Sequence, residues 1–343
     1  MMQAYFSPDQ ILHHGQTFLV GGERKPIPEV PERAEILKSA LDKLSITPQN
    51  PGDFGLAPLA KVHSPEYLLF LETIHDEWRA SGGAEMVIPH IHPFDRTGTY
   101  PATAAGKAGF HLGDTSCPIS AATWQSARAS ANCAVAAACD VRDGNADFTY
   151  ALCRPPGHHA SRDIAGGFCY LNNSAIAATQ LRERFDRVAI LDIDLHHGNG
   201  TQHIFYDRDD VFTLSIHADP TGFYPFYWGH AHERGTGRGT GYNRNFPLAL
   251  GNGDHAFLAA LDDALTLIGT YAPGALVVAC GLDASGDDPF GGLNVSTSGF
   301  GKIARKISLI GLPTVIVQEG GYVSPTLGDN LVQFLGSFAE ARS

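Results

Sequence analysis

The stretch AILDIDLHHGNG, residues 189–200, decides how the chain is read. It begins as a short apolar run, the pattern of a buried strand, yet Asp192, Asp194 and His196 follow at once. Burying an unpaired charge costs roughly several kcal/mol or more. On an extended strand residues i, i+2 and i+4 share a face, so the two carboxylates and the imidazole project together while Ile193 and Leu195 turn to apolar packing. A set of that kind repels itself unless a cation sits within it, and a metal ion is the most economical answer. The alternative is structural: the aspartates cap neighbouring turns and His196 is a satisfied core histidine.

Similar apolar runs recur along the chain as FTYALCRP (148–155), RVAILDIDL (187–195), VFTLSIH (211–217), GALVVACGLD (274–283) and PTVIVQEGG (313–321). Between them, ATWQSARASANCAVAAACDV, NNSAIAATQLRERF, HAFLAALDDALTLIGTY and GFGKIARKISLIG carry helical spacing. Strand and helix in alternation predict a parallel sheet covered on both faces, with its ligand site beyond the carboxyl ends of the strands. Polar residues crowd four of those ends. Asp283 leaves one of them and offers another oxygen, and an Asp, His, Asp set leaves coordination positions open, as catalytic zinc sites require. His158 and His159 follow a rigid Pro-Pro-Gly turn and read either as further ligands or as a proton-transferring pair. Gly320 and Gly321 permit a turn that presents Tyr322, whose phenol can donate to a developing oxyanion. His13, His14, His90 and His92 lack such surroundings and read as surface residues.

No repeat, low-complexity tract or composition shift marks a linker in the 343 residues, so one domain over 1–343 is expected. Its irregular part is about 81–123, a long segment without sustained periodicity, and such loops are usually functional or mobile. A formal charge of −12 argues against a nucleic-acid partner and mildly favours cationic ligands. Six cysteines without a CxxC pair suit reduced thiols and a cytoplasmic protein. MMQAYFSPDQ has no export-signal pattern and no apolar run reaches membrane-spanning length, so no membrane association is expected.

Together RPPGHHA, GGFCYLNN, DIDLHHGNGTQ, CGLDASGDDP and QEGGY, with Arg33 in VPERAE, resemble the arginase/deacetylase superfamily. The likeness is to zinc-dependent histone deacetylases, and closest to the bacterial acetylpolyamine amidohydrolases. It implies a single-domain α/β fold with an eight-stranded parallel sheet and helices on both faces. It also implies one catalytic zinc, with ferrous iron as the alternative, and hydrolysis of an N-acetyl amide. Carried over position by position, Asp194, His196 and Asp283 are the metal ligands. Asp192 becomes a carboxylate bonded to His158, His159 the general base and acid with His158 its electrostatic partner, and Tyr322 the residue polarising the carbonyl. Gly167, Phe168, Tyr224 and Phe290 form the substrate channel. The resemblance further implies structural potassium near Asp192, Asp194, His196, Ser215 and Ile216, and near Phe205, Arg208 and Val211.

Asn199 stands where histone deacetylases of the first class have an aspartate behind the general base, a departure shared with the amidohydrolases. The 81–123 segment resembles their long loop, which implies a homodimer and a narrowed mouth that admits a small cationic acetylated amine. The acidic residue expected there for a distal ammonium falls on Ser116, with Asp114 two residues away as its substitute. Acetylated polyamines are therefore the expected substrates, and acetyl-lysine in proteins, or another small acyl amide, the alternative.

Overall fold

In the computed structural model, which describes residues 2–343, each of the five apolar runs forms a strand of one parallel sheet. Nine strands are present among the described residues: β1 (Gln3–Tyr5), β2 (Thr17–Val20), β3 (Glu23–Pro26), β4 (Phe148–Ala151), β5 (Val188–Asp192), β6 (Val211–Ala218), β7 (Asn243–Leu248), β8 (Ala275–Cys280) and β9 (Thr314–Gln318). Seven of them make the sheet in the order β1-β4-β9-β8-β5-β6-β7, while β2 and β3 pair as a separate antiparallel hairpin. Helices link the strands of the sheet except between β6 and β7, which a long loop with one short 3-10 turn joins, and all of its pairings are parallel.

The sheet has seven strands rather than the eight expected. Its outer edge shows the reason. Gln49 bonds β1 on both sides, its N–H donating to the Ala4 carbonyl at 2.8 Å and its own carbonyl accepting from Phe6 N–H at 2.9 Å. Pro48 and Pro51 flank it, and a proline contributes no N–H to a ladder, so the pairing stops at a single bridge.

Period-2 alternation divides the sheet residues between two cores. Val188 and Ile190 of β5, Val277 of β8 and Val315 of β9 face the helices Pro65–Ala80, Thr123–Asp143 and Asn173–Leu181. Ala189, Leu191, Leu276, Val278 and Ile316 face Pro31–Lys43, Asp254–Tyr271, Thr297–Ser308 and Leu327–Arg342 on the other side. The long helix Thr123–Asp143 is rich in small residues that let it lie close to the sheet, and it stops at Gly144, whose φ of 78° supplies the left-handed cap. All six cysteines are free, five of them buried. No helix among the described residues is long and apolar enough to cross a membrane.

The 81–123 segment is less irregular than its sequence suggests. It contains the helix Ala104–His111, whose N-cap Thr103 accepts from Gly106 N–H, and Val87 pairs with Ile119 across the base of the loop. His13 is a second correction: it is buried, its Nδ1 3.1 Å from Thr123 Oγ1, whereas His14, His90 and His92 are exposed.

Candidate metal centre and active site

Strand β5 ends at Asp192, so Asp194 and His196 lie in the turn beyond it rather than on the extended strand assumed from the sequence. They still converge with Asp192, because carboxylate–amide bonds shape the turn. Asp192 Oδ1 accepts from Asp194 N–H at 3.0 Å and Asp194 Oδ1 accepts from His196 N–H at 2.8 Å. From the segment after β8, Asp283 Oδ1 accepts from Leu195 N–H at 2.9 Å; from the segment after β9, Gly320 N–H donates to Asp194 Oδ2 at 2.8 Å. A Cβ at Gly320 would collide with both carboxylates, which is why this position has no side chain.

His196 Nδ1 lies 3.1 Å from Asp283 Oδ2 and 3.3 Å from Asp194 Oδ1, and ligand atoms of the three residues all fall within 4.8 Å of one another. All three side chains are buried, and none has a lysine or arginine partner among the described residues. Burial and the neighbouring Asp194 raise the carboxyl of Asp283. Burial alone would discharge His196, but its bonds to Asp194 and Asp283 outweigh it and raise the imidazole to about 9. Two carboxylates and an imidazole so arranged fit a borderline divalent ion held by three protein ligands with positions left open.

His158 is clamped beside this set. Its Nδ1 is 2.9 Å from Asp192 Oδ2 and its Nε2 3.7 Å from Asp194 Oδ1. Burial opposes its charge, yet the two aspartates hold its pKa well above the ordinary histidine value. His159 is the reverse case: burial and the charges of His158 and His196 hold it well below that value. Its Nδ1 sits 2.7 Å from Asn199 Oδ1, and its ring lies 4.0 Å from that of His158. Adjacent histidines therefore have opposite protonation tendencies, the pattern of an acid–base site.

A cavity of about 360 Å³ opens over His159 and His196, walled by Phe168, Phe223, Tyr224, Phe290 and Tyr322 and lined also by Phe18 and Leu19 of the β2–β3 hairpin. Tyr322 is buried; burial holds its phenol well above the ordinary value, so it remains a donor. Gly167 has a φ of 52° and lies against the His159 ring, where a side chain would have no room. Phe223 stacks on His196 with centroids 5.3 Å apart.

The remaining predicted positions divide. Ser116 lines the cavity; Asp114 does not, and belongs instead to a neighbouring cavity of about 610 Å³. Its Oδ2 accepts from Tyr224 O–H at 2.8 Å and Gly167 N–H at 3.0 Å, and its Oδ1 from Ser116 N–H at 2.7 Å. This carboxylate is bonded into the wall between the two cavities. Ser215 pairs in register with Asp192, and Ile216 follows it on β6. Phe205 ends the helix Asn199–Phe205 and Arg208 lies in the turn after it, its N–H donating to the Phe205 carbonyl at 3.0 Å, and Val211 opens β6.

Sequence reasoning did not single out Phe18, Phe223 or Glu319. Phe223 was one residue from a chosen aromatic, and Glu319 stood inside QEGGY. Phe18 comes from a hairpin with no chemical signal of its own.

Residues 27–337 match the family model described as the histone deacetylase domain, and the chain belongs to this family of metal-dependent hydrolases. It is 49% identical over 343 residues to an acetylpolyamine amidohydrolase of Burkholderia pseudomallei (strain 1710b), covering 99% of this chain and 100% of the relative. It is 42% identical to acetylpolyamine amidohydrolase 1 of Pseudomonas aeruginosa PAO1, with 99% of both chains covered. The crystal structure of an acetylpolyamine aminohydrolase from Burkholderia pseudomallei superposes with a TM-score of 0.97 at 48% identity, covering both chains completely.

Proposed function

We propose that this member of the histone deacetylase domain family is a zinc-dependent amidohydrolase that releases acetate from acetylated polyamines of the acetylputrescine and acetylcadaverine type. The observation that carries the reading is the buried Asp194, His196, Asp283 set beside His159 at the floor of an aromatic cavity. The two amidohydrolase relatives, matched over nearly their whole lengths, support the substrate class.

A divalent ion held by Asp194, His196 and Asp283, zinc in this reading with ferrous iron as the alternative, supplies Lewis acidity toward an acyl carbonyl and a water. Asn199 accepts the Nδ1 proton of His159, which leaves Nε2 as the basic atom on the cavity side. His159 takes a proton from water as its oxygen bonds to the acyl carbon, then returns it to nitrogen as the C–N bond breaks. His158, charged between Asp192 and Asp194, lowers the proton affinity of His159, so the proton is handed on readily. Tyr322 donates its hydroxyl hydrogen to the acyl oxygen as negative charge develops there. Phe168, Tyr224 and Phe290 grip a methylene chain.

Potassium near Ser215 and near Phe205, Arg208 and Val211, a cytoplasmic location, and a homodimer through 81–123 belong to the same reading. The last is supported by Ile91 and Phe94, apolar side chains exposed on that segment. A deacetylase of acetyl-lysine peptides is the second reading, favoured by one observation: no acidic side chain lines the cavity, since Asp114 is bonded into its wall. Steady-state kinetics of the zinc-loaded protein on acetylputrescine, acetylcadaverine and an acetyl-lysine peptide separates the two. The proposal expects the small amines to win by about 100-fold in kcat/KM, about 2.7 kcal/mol. Equal or better turnover of the peptide replaces it with the second reading.

A further inference from the structure

The proton-transfer step assigns no task to Glu319, although its carboxylate is fully buried behind His158. It stands just past the end of β9 and spans to a different segment of chain. Oε2 accepts from Gly157 N–H at 2.6 Å and from His158 N–H at 3.0 Å, the two amides of the turn that delivers both histidines. Oε1 accepts from Ser174 O–H at 2.6 Å, on the helix Asn173–Leu181. The residues after Glu319 serve the same centre: Gly320 N–H donates to Asp194, and Tyr322 walls the cavity. The main chain here is itself held, because Arg33 donates to the carbonyls of Glu319 at 2.7 Å and Gly321 at 2.5 Å. One short segment thus touches the histidine turn, a ligand aspartate and the phenol.

We propose that Glu319 is a positioning residue, whose carboxylate oxygen fixes the Gly157–His158 amides and thereby the distance from His159 to the metal-ligand set and Tyr322. It acts through reach and acceptor geometry; its negative charge is not the operative property. Both turn amides are buried and have no other acceptor among the described residues, and a buried amide without an acceptor favours any backbone movement that finds one. Such movement displaces His159, and a shift of about 1 Å in a catalytic group costs about 100-fold in rate.

Two conservative variants separate reach from charge. Glu319→Gln keeps the length and an acceptor oxygen but removes the charge; Glu319→Asp keeps the charge but withdraws the oxygen by one methylene. Activity on the acetylated amine that the wild type turns over fastest is measured with metal content and amide hydrogen exchange of the 155–160 segment. The proposal, which rests on the acetyl-amide reading above, expects Glu319→Gln to stay within about threefold of wild-type kcat. Glu319→Asp should lose about 100-fold in kcat with KM within about twofold, one metal per chain retained and faster exchange at 157 and 158. The reverse order, Asp active and Gln defective, overturns it in favour of a charge effect on His158. Wild-type kcat and exchange in both variants also overturns it, as does a loss that follows metal content. Failure of the wild type to hydrolyse any acetylated amine defeats the acetyl-amide reading, and the exchange measurement then decides the role of Glu319 on its own.

Discussion

Two buried ionic clusters meet at residues 319–322, and their difference explains what each is for. On one side Glu29 lies between Arg33 Nη1 and Arg154 Nε, both at 2.8 Å. The remaining guanidinium hydrogens reach the carbonyls of Gln10, His13, Glu319 and Gly321. Burial disfavours the Glu29 charge, but Arg154 and Arg33 overcome it and hold the carboxyl below its ordinary range, while burial lowers His13 to about 4. Here the one carboxylate is held by two guanidiniums, and the cluster ties four stretches of chain together. On the other side Asp192, Asp194 and Asp283 are equally buried, but their partners are imidazoles. Burial raises the carboxyl of Asp192 as it does that of Asp283, and a nearby Asp288 is pushed up to about 7 by burial and by Asp283, whereas Asp194, between His158 and His196, is held below its ordinary range despite its burial. Equal burial with different partners teaches that the carboxylate of the first cluster is met by permanently charged guanidiniums of the chain itself, whereas the second offers its carboxylates only titratable imidazoles and suits a cation from outside.

The largest effect expected from this contrast is on the side whose carboxylates meet imidazoles. Asp194→Ala, or chelation of the wild type, should cut kcat/KM by about a thousandfold or more. Several kcal/mol of transition-state stabilisation go with the ion, at 1.36 kcal/mol per factor of ten. Chelated wild type should recover on adding zinc while the variant does not. Activity that survives either treatment breaks the comparison.

Stability should respond in opposite directions. Glu29→Ala leaves two guanidiniums buried without their carboxylate, and should cost about 3–5 kcal/mol in denaturant unfolding. Asp283→Asn in the chelated protein should raise Tm, because it removes a charge that burial and Asp194 disfavour. The pH dependence carries the same signs. Glu29, whose folded pKa is depressed, contributes stability above its unfolded value near 4.5 that is lost as pH falls through the folded one. Asp283, whose folded pKa is raised, favours folding below the ordinary Asp value, and that contribution is lost as pH rises through the raised one.

Tyr322→Phe keeps the ring against Phe290 and the Arg33 guanidinium, 4.7 Å from each, and removes only the donor. A loss of about 10²–10³ in kcat with folding unchanged is expected. The smallest effect concerns pH. Because His159 is held well below 6.5, kcat/KM should stay flat through neutral pH and fall only in acid. Asn199→Asp places a carboxylate against Nδ1 and should move that acid limb upward, and an unmoved limb would assign it to another group.

The floor of the site was legible in the sequence because each of its charges follows an apolar strand. Asp192, Asp194, His196 and Asp283 stand where β5 and β8 run out, and a buried charge after such a run needs an explanation that a surface charge does not. The five central strands were legible for the same reason, being continuous apolar runs. Edge elements were not. β1 has three residues, β7 reads NRNFPL, and the β2–β3 hairpin carries no run long enough to stand out. The mouth was obscure because it is assembled from separate stretches, Phe18 and Leu19 on the hairpin with Ser116 and Phe223–Tyr224, and no spacing rule joins them. Asp114 illustrates the limit: its charge was visible, but its three bonds into the wall depend on where Gly167 and Tyr224 fold.

If Asp194, His196 and Asp283 are the ligands, together they hold a single divalent ion. The most direct test is metal content per chain, measured by inductively coupled plasma mass spectrometry after zinc loading and desalting, in the wild type and in Asp283→Ala. One ion per wild-type chain and essentially none in the variant are expected, with both proteins folded. Two ions per wild-type chain, or equal retention by wild type and variant, would contradict it.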